Sequence, residues 1–540
     1  MQGSLTRESP SDTRLERALG SAVVEKRTQL LEHEANEVLR SIGIEVPDHV
    51  FIRSDENLIA GAERAWESLW SSRVVVKVVS PEIAHKTEVG GVNVVPKRPA
   101  DISNAMEKML AKLTGFDIRG FLISEFVEYD DSPGGELLVN LRWNSEFGPV
   151  VSIGLGGLSA EALGRNLQPG VGMAILSPES THPRSIAPIL HEKAFAPLIS
   201  EGLRDGISRI PLDTLGALTS KLLAFASRDI PAPFEEIEIN PLVSRPHGPL
   251  ALDAFVRLGY ERSEPPARPL DKIHRLLRPK SIAVVGVSRS MNPGRTIVAN
   301  LVHDGFDRER IWIVKEGCEE IEGCRCVDSI GNLPEPVDLI VLSIGADAVI
   351  DAIDEIVAHR KAESVIVIPG GLGEREGSGR LEEAIRSRIE SSRPTEWRGP
   401  VVNGGNSLGI RSIRGNYDTT FLPRYKVAPA ERPGAPIALI SQSGAFAVSI
   451  GSRLAPVSPR TVVSIGNQID LTFGDYMEAM ADDPEIDLFA FYVEGFRPGD
   501  GRRWRHIRNL RWRWRRAGLH PERVPGEARR SGPDPRTHRA

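Results

Sequence analysis

One histidine, His85, stands in the run Lys77-Val-Val-Ser-Pro-Glu-Ile-Ala-His-Lys-Thr-Glu-Val-Gly-Gly91, among groups suited to phosphate. An imidazole with an unperturbed pKa of about 6.5 is largely neutral at pH 7 and can act as a nucleophile. Lys77 and Lys86 can neutralise phosphate oxygens as point charges. A second constellation is Glu236-Ile-Glu238-Ile-Asn240-Pro-Leu with Asp253 thirteen residues beyond Asn240. Alternation puts Glu236, Glu238 and Asn240 on one strand face, and a returning strand can bring Asp253 alongside. Mg²⁺ favours a few such carboxylate or amide oxygens, with phosphate and water completing an octahedron, so Asn240 and Asp253 are the candidate metal ligands. Each set also has a plain reading: a solvated loop histidine and an exposed polar sheet face.

The elements that must hold these groups follow from the pattern around them. Val74 to Val79 is a β-branched run interrupted only by Lys77, and Pro81 ends it, which leaves His85 on a loop that Gly90 and Gly91 free. Leu15 to Ile42 shows apolar residues at helical intervals and predicts a helix pair; residues 1–13 are polar and expected to be disordered. Phe121 to Val127 reads as a short apolar strand. Gly154-Leu-Gly156-Gly157 is a turn whose backbone N–H groups could approach phosphate. Ser281 to Val285 enters Gly286-Val-Ser288, and Thr296 to Val302 then reads as a helix, giving a Rossmann-like strand, turn and helix without a full G-x-G-x-x-G. Ile437 to Ser441 runs straight into Gln442-Ser443-Gly444, a helix start whose N–H groups and dipole favour an anion.

With 540 residues, 40% hydrophobic and 26% charged, the chain has room for three or four domains of an ordinary globular kind. No apolar stretch approaches the roughly 20 residues that span a bilayer, and no secretory h-region opens the chain, so a cytoplasmic protein without membrane association is expected. Cys318, Cys324 and Cys326 fit neither a disulfide framework nor a paired zinc knuckle. The net charge of −6 hides an asymmetry: residues 501–540 hold thirteen arginines against Glu522, Glu527 and Asp534, leaving −16 on the rest. So acidic a body argues against nucleic acid as a general partner.

Taken together, the motifs resemble the NDP-forming, here ADP-forming, acyl-CoA synthetases (acetate–CoA ligases), relatives of succinyl-CoA synthetase. His85-Lys-Thr-Glu-Val-Gly-Gly-Val92 matches their swinging-loop signature His-Lys-Thr-Glu-x-Gly-Gly-Val, Gly43 to Pro47 and the run from Gly135 to Gly157 match the ATP-grasp part, and Gly286, Ser288 and Gly294 match the CoA-binding domain. The resemblance covers roughly residues 20–498. It implies an α/β protein with an ATP-grasp domain (14–258), a linker (259–272), a Rossmann-like CoA-binding domain (273–428) and an incomplete flavodoxin-like ligase domain (429–498), followed by an Arg-rich tail (499–540). It implies ATP, Mg²⁺ and CoA as ligands, a small carboxylic acid as substrate, and a homo-oligomer. By the same resemblance His85 carries a phosphoryl group; Lys77, Glu125, Val127, Gly156 and Gly157 bind nucleotide; Gly286, Ser288 and Gly294 bind CoA; Ser443 and Gly444 hold the phosphate of the phosphohistidine; and Glu494 orients it. Lys315 is displaced from the Asn-Pro-Lys position that contacts CoA phosphates in the family.

Beyond Gly495 the family continues to a Ser-His-Thr-Gly stretch with an active-site histidine, and His506, His520 and His538 lack its neighbours. The tail fits translation out of frame, or a basic arm whose Trp504, Trp512 and Trp514 could stack on bases or meet a membrane surface. Two functional classes therefore stand at this point: an acyl-CoA synthetase impaired by the missing histidine, and an ATP- or CoA-binding regulatory protein without turnover.

Overall fold

The computed structural model describes residues 10–83, 86–130, 132, 134–157, 167–168, 170–200, 210–245, 248–261, 266–374, 377–426, 433–453 and 458–502. Two helices open it, α1 (Pro10–Val24) and α2 (Glu32–Ile42). The first begins inside the stretch expected to be disordered, with a proline in its first turn, where the missing N–H costs nothing. Glu34 anchors the start of α2 by accepting from Leu31 N at 2.7 Å and from both terminal nitrogens of Arg27, and Gly43, at φ +81°, ends it.

A small antiparallel sheet follows, built from β1 (His49–Arg53), β2 (Arg73–Val79), β3 (Val92–Pro96) and β4 (Gly120–Glu125) in the order β1-β4-β2-β3. Helices α3 (Leu58–Ser68) and α4 (Pro99–Lys112) share a core with it: Val74, Val76 and Val78 of β2 pack with Ala62, Ala65, Ile102 and Met106. Strand alternation then turns Lys77 to the opposite face, the side on which Leu31 meets Leu122.

The second sheet is antiparallel, in the order β10-β8-β5-β6-β7, from β5 (Glu136–Asn144), β6 (Gly148–Leu155), β7 (Met173–Leu176), β8 (Phe234–Val243) and β10 (Ala254–Leu258), with β9 (Leu250–Ala251) also on β8. On β8, Ile237 and Ile239 are buried while Glu238 is half-buried and Asn240 exposed, as the alternation required. Bridges from Gln29 to Arg257 and from Glu45 to Leu250 tie both ends of α2 to this sheet.

The third sheet is parallel apart from one edge hairpin, in the order β13-β14-β12-β11-β15-β16-β17: β11 (Ile282–Val285), β12 (Ile311–Val314), β13 (Glu320–Ile321), β14 (Cys324–Val327), β15 (Val337–Leu342), β16 (Ala362–Val367) and β17 (Val401–Gly404). Every residue of β15 is buried, the mark of a central strand covered on both faces. The fourth sheet runs β19-β18-β21-β20-β22, from β18 (Ile410–Ser412), β19 (Tyr417–Asp418), β20 (Ala435–Ser441), β21 (Pro459–Ser464) and β22 (Leu488–Tyr492). The division placed at 428 falls between β19 and β20 of this sheet. Ile410 and Ser412 pair with Val463 and Thr461, so β18 and β19 belong to the last sheet, and one core joins Ile282, Val284, Ile440 and Val463.

The first tail residues, 499–502, contact the body of the chain. Asp500 is buried and accepts from Thr472 Oγ1 and Gly474 N, both at 2.7 Å, while Gly499 N and Gly501 N donate to Ser145 and Glu146 carbonyls in the turn between β5 and β6. Residues 499–502 are therefore packed against both neighbours. Among the described residues no helix is long and apolar enough to cross a membrane.

Candidate functional site

The face of β2 that carries Lys77 meets the start of α2 and the turn before β10, and four charged groups converge there. Lys77 Nζ lies 2.6 Å from Glu32 Oε1 and 2.8 Å from the Leu252 carbonyl. Lys86 Nζ lies 2.9 Å from Glu32 Oε2 and 3.4 Å from each carboxylate oxygen of Asp253. Asn240 N donates to the Asp253 carbonyl at 3.2 Å, which pairs the two backbones. The structure thus brings Lys77, Asn240 and Asp253 together, and it adds Glu32, a residue that sequence reasoning passed over. Burial alone would raise the Glu32 carboxyl, but the two ammonium groups outweigh it and hold it down at about 2. Burial lowers Lys86, yet Glu32 and Asp253 more than offset this and leave it raised.

His85 lies outside the described residues; its neighbour Lys86 is described. The turn they share is closed by Gly91 N donating to Lys86 O at 2.7 Å and Gly90 N to Thr87 O at 3.1 Å, and Val78 N donates to Gly91 O. A side chain at Gly91 would collide with Val78, so the glycine lets the turn fold back on β2.

Hard oxygen donors suit a hard cation, and the Asp253 carboxylate and Asn240 amide are the candidates, whereas Glu32 Oε2 is already paired with Lys86 at 2.9 Å. No group of three His, Cys, Asp or Glu that could hold a metal occurs among the described residues, so phosphate and water would have to complete the shell. Glu236 and Glu238 sit farther along β8, accepting from Asn140 Nδ2 at 3.0 and 3.3 Å.

Two expected nucleotide contacts, Gly156 and Glu125, also have partners within the chain. The Gly156 N–H donates to the Glu136 carbonyl at 2.9 Å, so it extends the β5–β6 ladder instead of facing a phosphate. Gly157 has φ +69°, and a side chain there would strike Glu136. The Glu125 carboxylate accepts from Trp70 N at 2.8 Å and thus steadies the chain after α3; Val127 follows on the half-buried segment beyond β4.

Next to Glu32, His33 stacks on Phe51 with ring centroids 3.8 Å apart, and its buried Nδ1 has no hydrogen-bond partner. Burial pushes its pKa from 6.5 down to about 4. Between these values the unfolded chain binds more protons than the folded one, so stability falls as pH drops through this window. His33→Phe, which keeps the stack, is expected to remove about 2 kcal/mol of the stability lost between pH 7 and pH 5, read from urea unfolding at both values.

In the third sheet, β11 ends at Gly286, whose φ of +91° suits glycine and whose hypothetical Cβ would lie 2.2 Å from the Ser343 carbonyl. The helix that follows runs Pro293–His303, starting three residues before the expected Thr296, so Gly294 sits in its first turn. A Cβ on Gly294 would come 2.6 Å from the Gly286 carbonyl; glycine here permits close helix–turn packing. Asn292, unflagged in the sequence, organises the turn: Nδ2 donates to Gly286 O at 2.7 Å, and Oδ1 accepts from Arg295 N and Ser288 N. Ser288 Oγ lies 3.0 Å from Ser290 Oγ.

In the fourth sheet, Ser443 Oγ accepts from Phe446 N at 3.2 Å and caps the helix Gly444–Arg453, while Gly444 lets Leu408 pack closely. The exposed Glu494 lies two residues past β22, and both its N–H and that of Gly495 donate to Gln442 Oε1, at 2.9 and 3.1 Å. Gln442 is the connector that joins the expected phosphate turn to the expected glutamate. His506, His520 and His538 lie outside the described residues.

Comparison with known proteins matches three family descriptions: an ATP-grasp domain at residues 21–258, a CoA binding domain at 280–395 and a succinyl-CoA ligase like flavodoxin domain at 434–510. The last match runs past residue 498, where the resemblance was expected to stop. An ADP-forming acetate–CoA ligase II of Archaeoglobus fulgidus is 25% identical over 477 residues, covering 87% of this chain and 65% of its own. The alpha subunit of the corresponding Pyrococcus furiosus enzyme is 29% identical over 229 residues, 42% of this chain and 46% of its own. The chain thus spans less than two thirds of the length of either relative. A Ca. Korarchaeum cryptofilum dinucleotide forming acetyl-coenzyme A synthetase, solved with phosphate and ADP, is 28% identical with a TM-score of 0.39, over 44% of this chain and 48% of its own. This chain therefore carries ATP-grasp, CoA-binding and succinyl-CoA-ligase-like flavodoxin domains in that order, and by sequence it is a relative of the ADP-forming acid–CoA ligases.

Proposed function

We propose that this chain is an ADP-forming acyl-CoA synthetase that converts a small carboxylic acid, CoA and ATP into acyl-CoA, ADP and phosphate through a phosphohistidine at His85. The observation that carries this reading is the convergence of Lys77, Lys86 and Asp253 beside the His85 loop, in a chain that also holds a CoA-binding domain. A free carboxylate acylates poorly, and a covalent relay divides the conversion into easier steps. The neutral imidazole attacks the γ-phosphorus, and the bond to the bridging oxygen breaks and leaves with ADP. A carboxylate oxygen then takes the phosphoryl group and frees the imidazole; the CoA sulfur attacks the acyl carbon and phosphate departs. Lys77 offsets charge on the nucleotide, bound where Glu125 and Val127 flank the adenine. Ser443 and Gly444 cradle the carried phosphate at a helix start, Glu494 orients the imidazole, and the turn from Gly286 through Ser288 to Gly294 receives CoA. Mg²⁺, which Asn240 and Asp253 would hold, supplies neutralisation of polyphosphate charge.

Incubation with γ-labelled ATP is expected to give an acid-labile, base-stable adduct that maps to His85 and vanishes in His85→Ala, with acyl-CoA formation from short acids impaired because the sequence offers no counterpart to the family's Ser-His-Thr-Gly histidine. Asp253→Asn, which removes one hard anionic ligand, is expected to weaken Mg·ATP binding at least about tenfold by calorimetry. ATP bound without labelling of His85 would overturn the relay, and unchanged Mg·ATP affinity in Asp253→Asn would overturn the metal assignment.

A further inference from the structure

All three cysteines of the chain fall between β12 and the end of β14, and all three are free. The hairpin of β13 and β14 sets them in register. Glu320 pairs with Arg325 and Ile321 with Cys324, and Cys326 N donates to the Glu319 carbonyl at 2.8 Å, which carries the ladder one step further. Cys318 comes next, one position off the direct partner of Cys326. Ladder geometry gives such a pair a Cα separation of about 6 Å, inside the roughly 4.4–6.8 Å that a disulfide spans. Cys318 precedes β13, so strand alternation does not turn it away, and its half-buried side chain packs on the same core as that of Cys326. The two thiols meet there, and burial together with that contact pushes Cys326 up to about 12. Cys318 Sγ also donates to the Glu320 carbonyl at 3.5 Å. Cys324, by contrast, is fully buried opposite Ile321, and burial raises its thiol to about 11.

From this geometry we propose that Cys318 and Cys326 form a reversible disulfide, an oxidation site that closes the hairpin beside the turn expected to receive CoA. Hydrogen peroxide is the oxidant. The Cys318 sulfur attacks one peroxide oxygen, the O–O bond breaks, and one water departs to leave a sulfenic acid on Cys318. The Cys326 sulfur then attacks the Cys318 sulfur, the S–O bond breaks, and the Cys326 proton leaves with the hydroxyl as a second water. Two thiols thus lose two electrons and two protons, and the peroxide becomes two waters. A dithiol reverses the bond by exchange. Cys326, held protonated, is the slower thiol, so Cys318 is oxidised first and Cys326 resolves it. The hairpin reaches the turn by two routes. Val314 pairs with Val285, so Lys315 and Gly286 leave neighbouring strand ends, and Lys315 N donates to the Val327 carbonyl at 2.8 Å. At the hairpin tip, Glu322 Oε1 lies 2.8 Å from Arg295 Nη2, and the Arg295 N–H is held by Asn292, which also holds Gly286 and Ser288. Bonding the two sulfurs shifts the hairpin at both points, and the turn loses its fit to CoA. That last step rests on the proposed CoA role of the turn; the disulfide itself does not.

The reduced full chain, treated with hydrogen peroxide, alkylated and cleaved after Lys315 and Arg325, is expected to yield the peptides that begin at Glu316 and Cys326 as one linked pair, two hydrogens lighter than their sum. Dithiothreitol is expected to restore both thiols. Cys324→Ala should keep the link and Cys318→Ser should abolish it. Desulfo-CoA, which lacks a thiol that would exchange with the bond, is expected to bind the oxidised chain at least about fivefold more weakly than the reduced chain by calorimetry. Peroxide-treated Cys318→Ser should bind it like the untreated variant. Thiols that stay open to alkylation after peroxide, or a link through Cys324 instead of Cys318, overturn the disulfide. A link with unchanged desulfo-CoA affinity overturns its coupling to the turn. Absence of desulfo-CoA binding in the reduced chain overturns the CoA reading of the turn and leaves the disulfide standing.

Discussion

Replacing Glu32 by alanine is expected to cost the folded chain about 3–5 kcal/mol, measured as a fall in urea midpoint at pH 7 with an unchanged slope. The loss comes from the lysines left behind. Their side chains are 10% and 13% exposed, so neither can recover its water shell once the shared carboxylate is gone, and Lys86 keeps only the long contacts to Asp253. Glu32→Gln keeps the shape and one acceptor but not the charge, and is expected to fall between the parent and alanine. Glu32→Leu combined with Lys77→Met and Lys86→Met should recover most of the loss, because apolar groups of similar volume carry no desolvation penalty. The pH dependence has a definite sign. With the folded carboxyl held near 2 against 4.5 in the unfolded chain, the contribution is complete above about pH 4.5 and disappears as pH falls towards 2. A loss below about 1 kcal/mol in Glu32→Ala would mean that water reaches the cluster and screens it.

The legibility of this arrangement in the sequence was uneven, for physical reasons. Strand β2 announced itself as a β-branched run interrupted only by Lys77 and ended by Pro81, and the facing of Glu236, Glu238 and Asn240 followed from the strand period of two. Glycine turns were legible at Gly286 and Gly91 because backbone must approach backbone or a buried side chain there. Glu32 was invisible: an acidic residue in the first turn of an amphipathic helix looks like any solvated dipole partner, and its lysine lies 45 residues away. Gln442 was equally silent, since only the parallel pairing of β20 with β22 brings it to Glu494, 52 positions on. Strands β18 and β19, three and two residues long, are too short to carry a period, so the division near 428 rests on a proline-rich stretch. At Gly156, where the resemblance implies a nucleotide contact, the N–H completes a ladder with the Glu136 carbonyl, a pairing that the glycine-rich run alone does not reveal.

Asp470→Ala is expected to be comparably damaging, and by a route that separates the last two sheets. Asp470 Oδ2 accepts from Arg393 at 2.7 Å and from Val402 N at 2.9 Å, while Oδ1 accepts from Arg268 Nε at 3.2 Å. On either side of it, Ile469 N and Leu471 N donate to the Gly404 and Val402 carbonyls, so this segment of the flavodoxin-like part lies along β17 of the third sheet. One carboxylate thus holds that segment, the edge strand and the arginine that ends the linker. The Arg393 side chain is 3% exposed, and without Asp470 its charge would keep only the Arg398 and Pro400 carbonyls. Leaving a guanidinium unpaired there costs about 3–5 kcal/mol. Arg268→Ala is expected to cost less than half as much: its side chain is 21% exposed, and Asp470 would still be paired with Arg393, as Asp475 would still accept from Thr472. Urea unfolding of the two variants, with limited proteolysis between residues 404 and 435, decides the order. Asp470→Ala should unfold first and be cut within that segment; a larger loss in Arg268→Ala would place the main anchor at the linker.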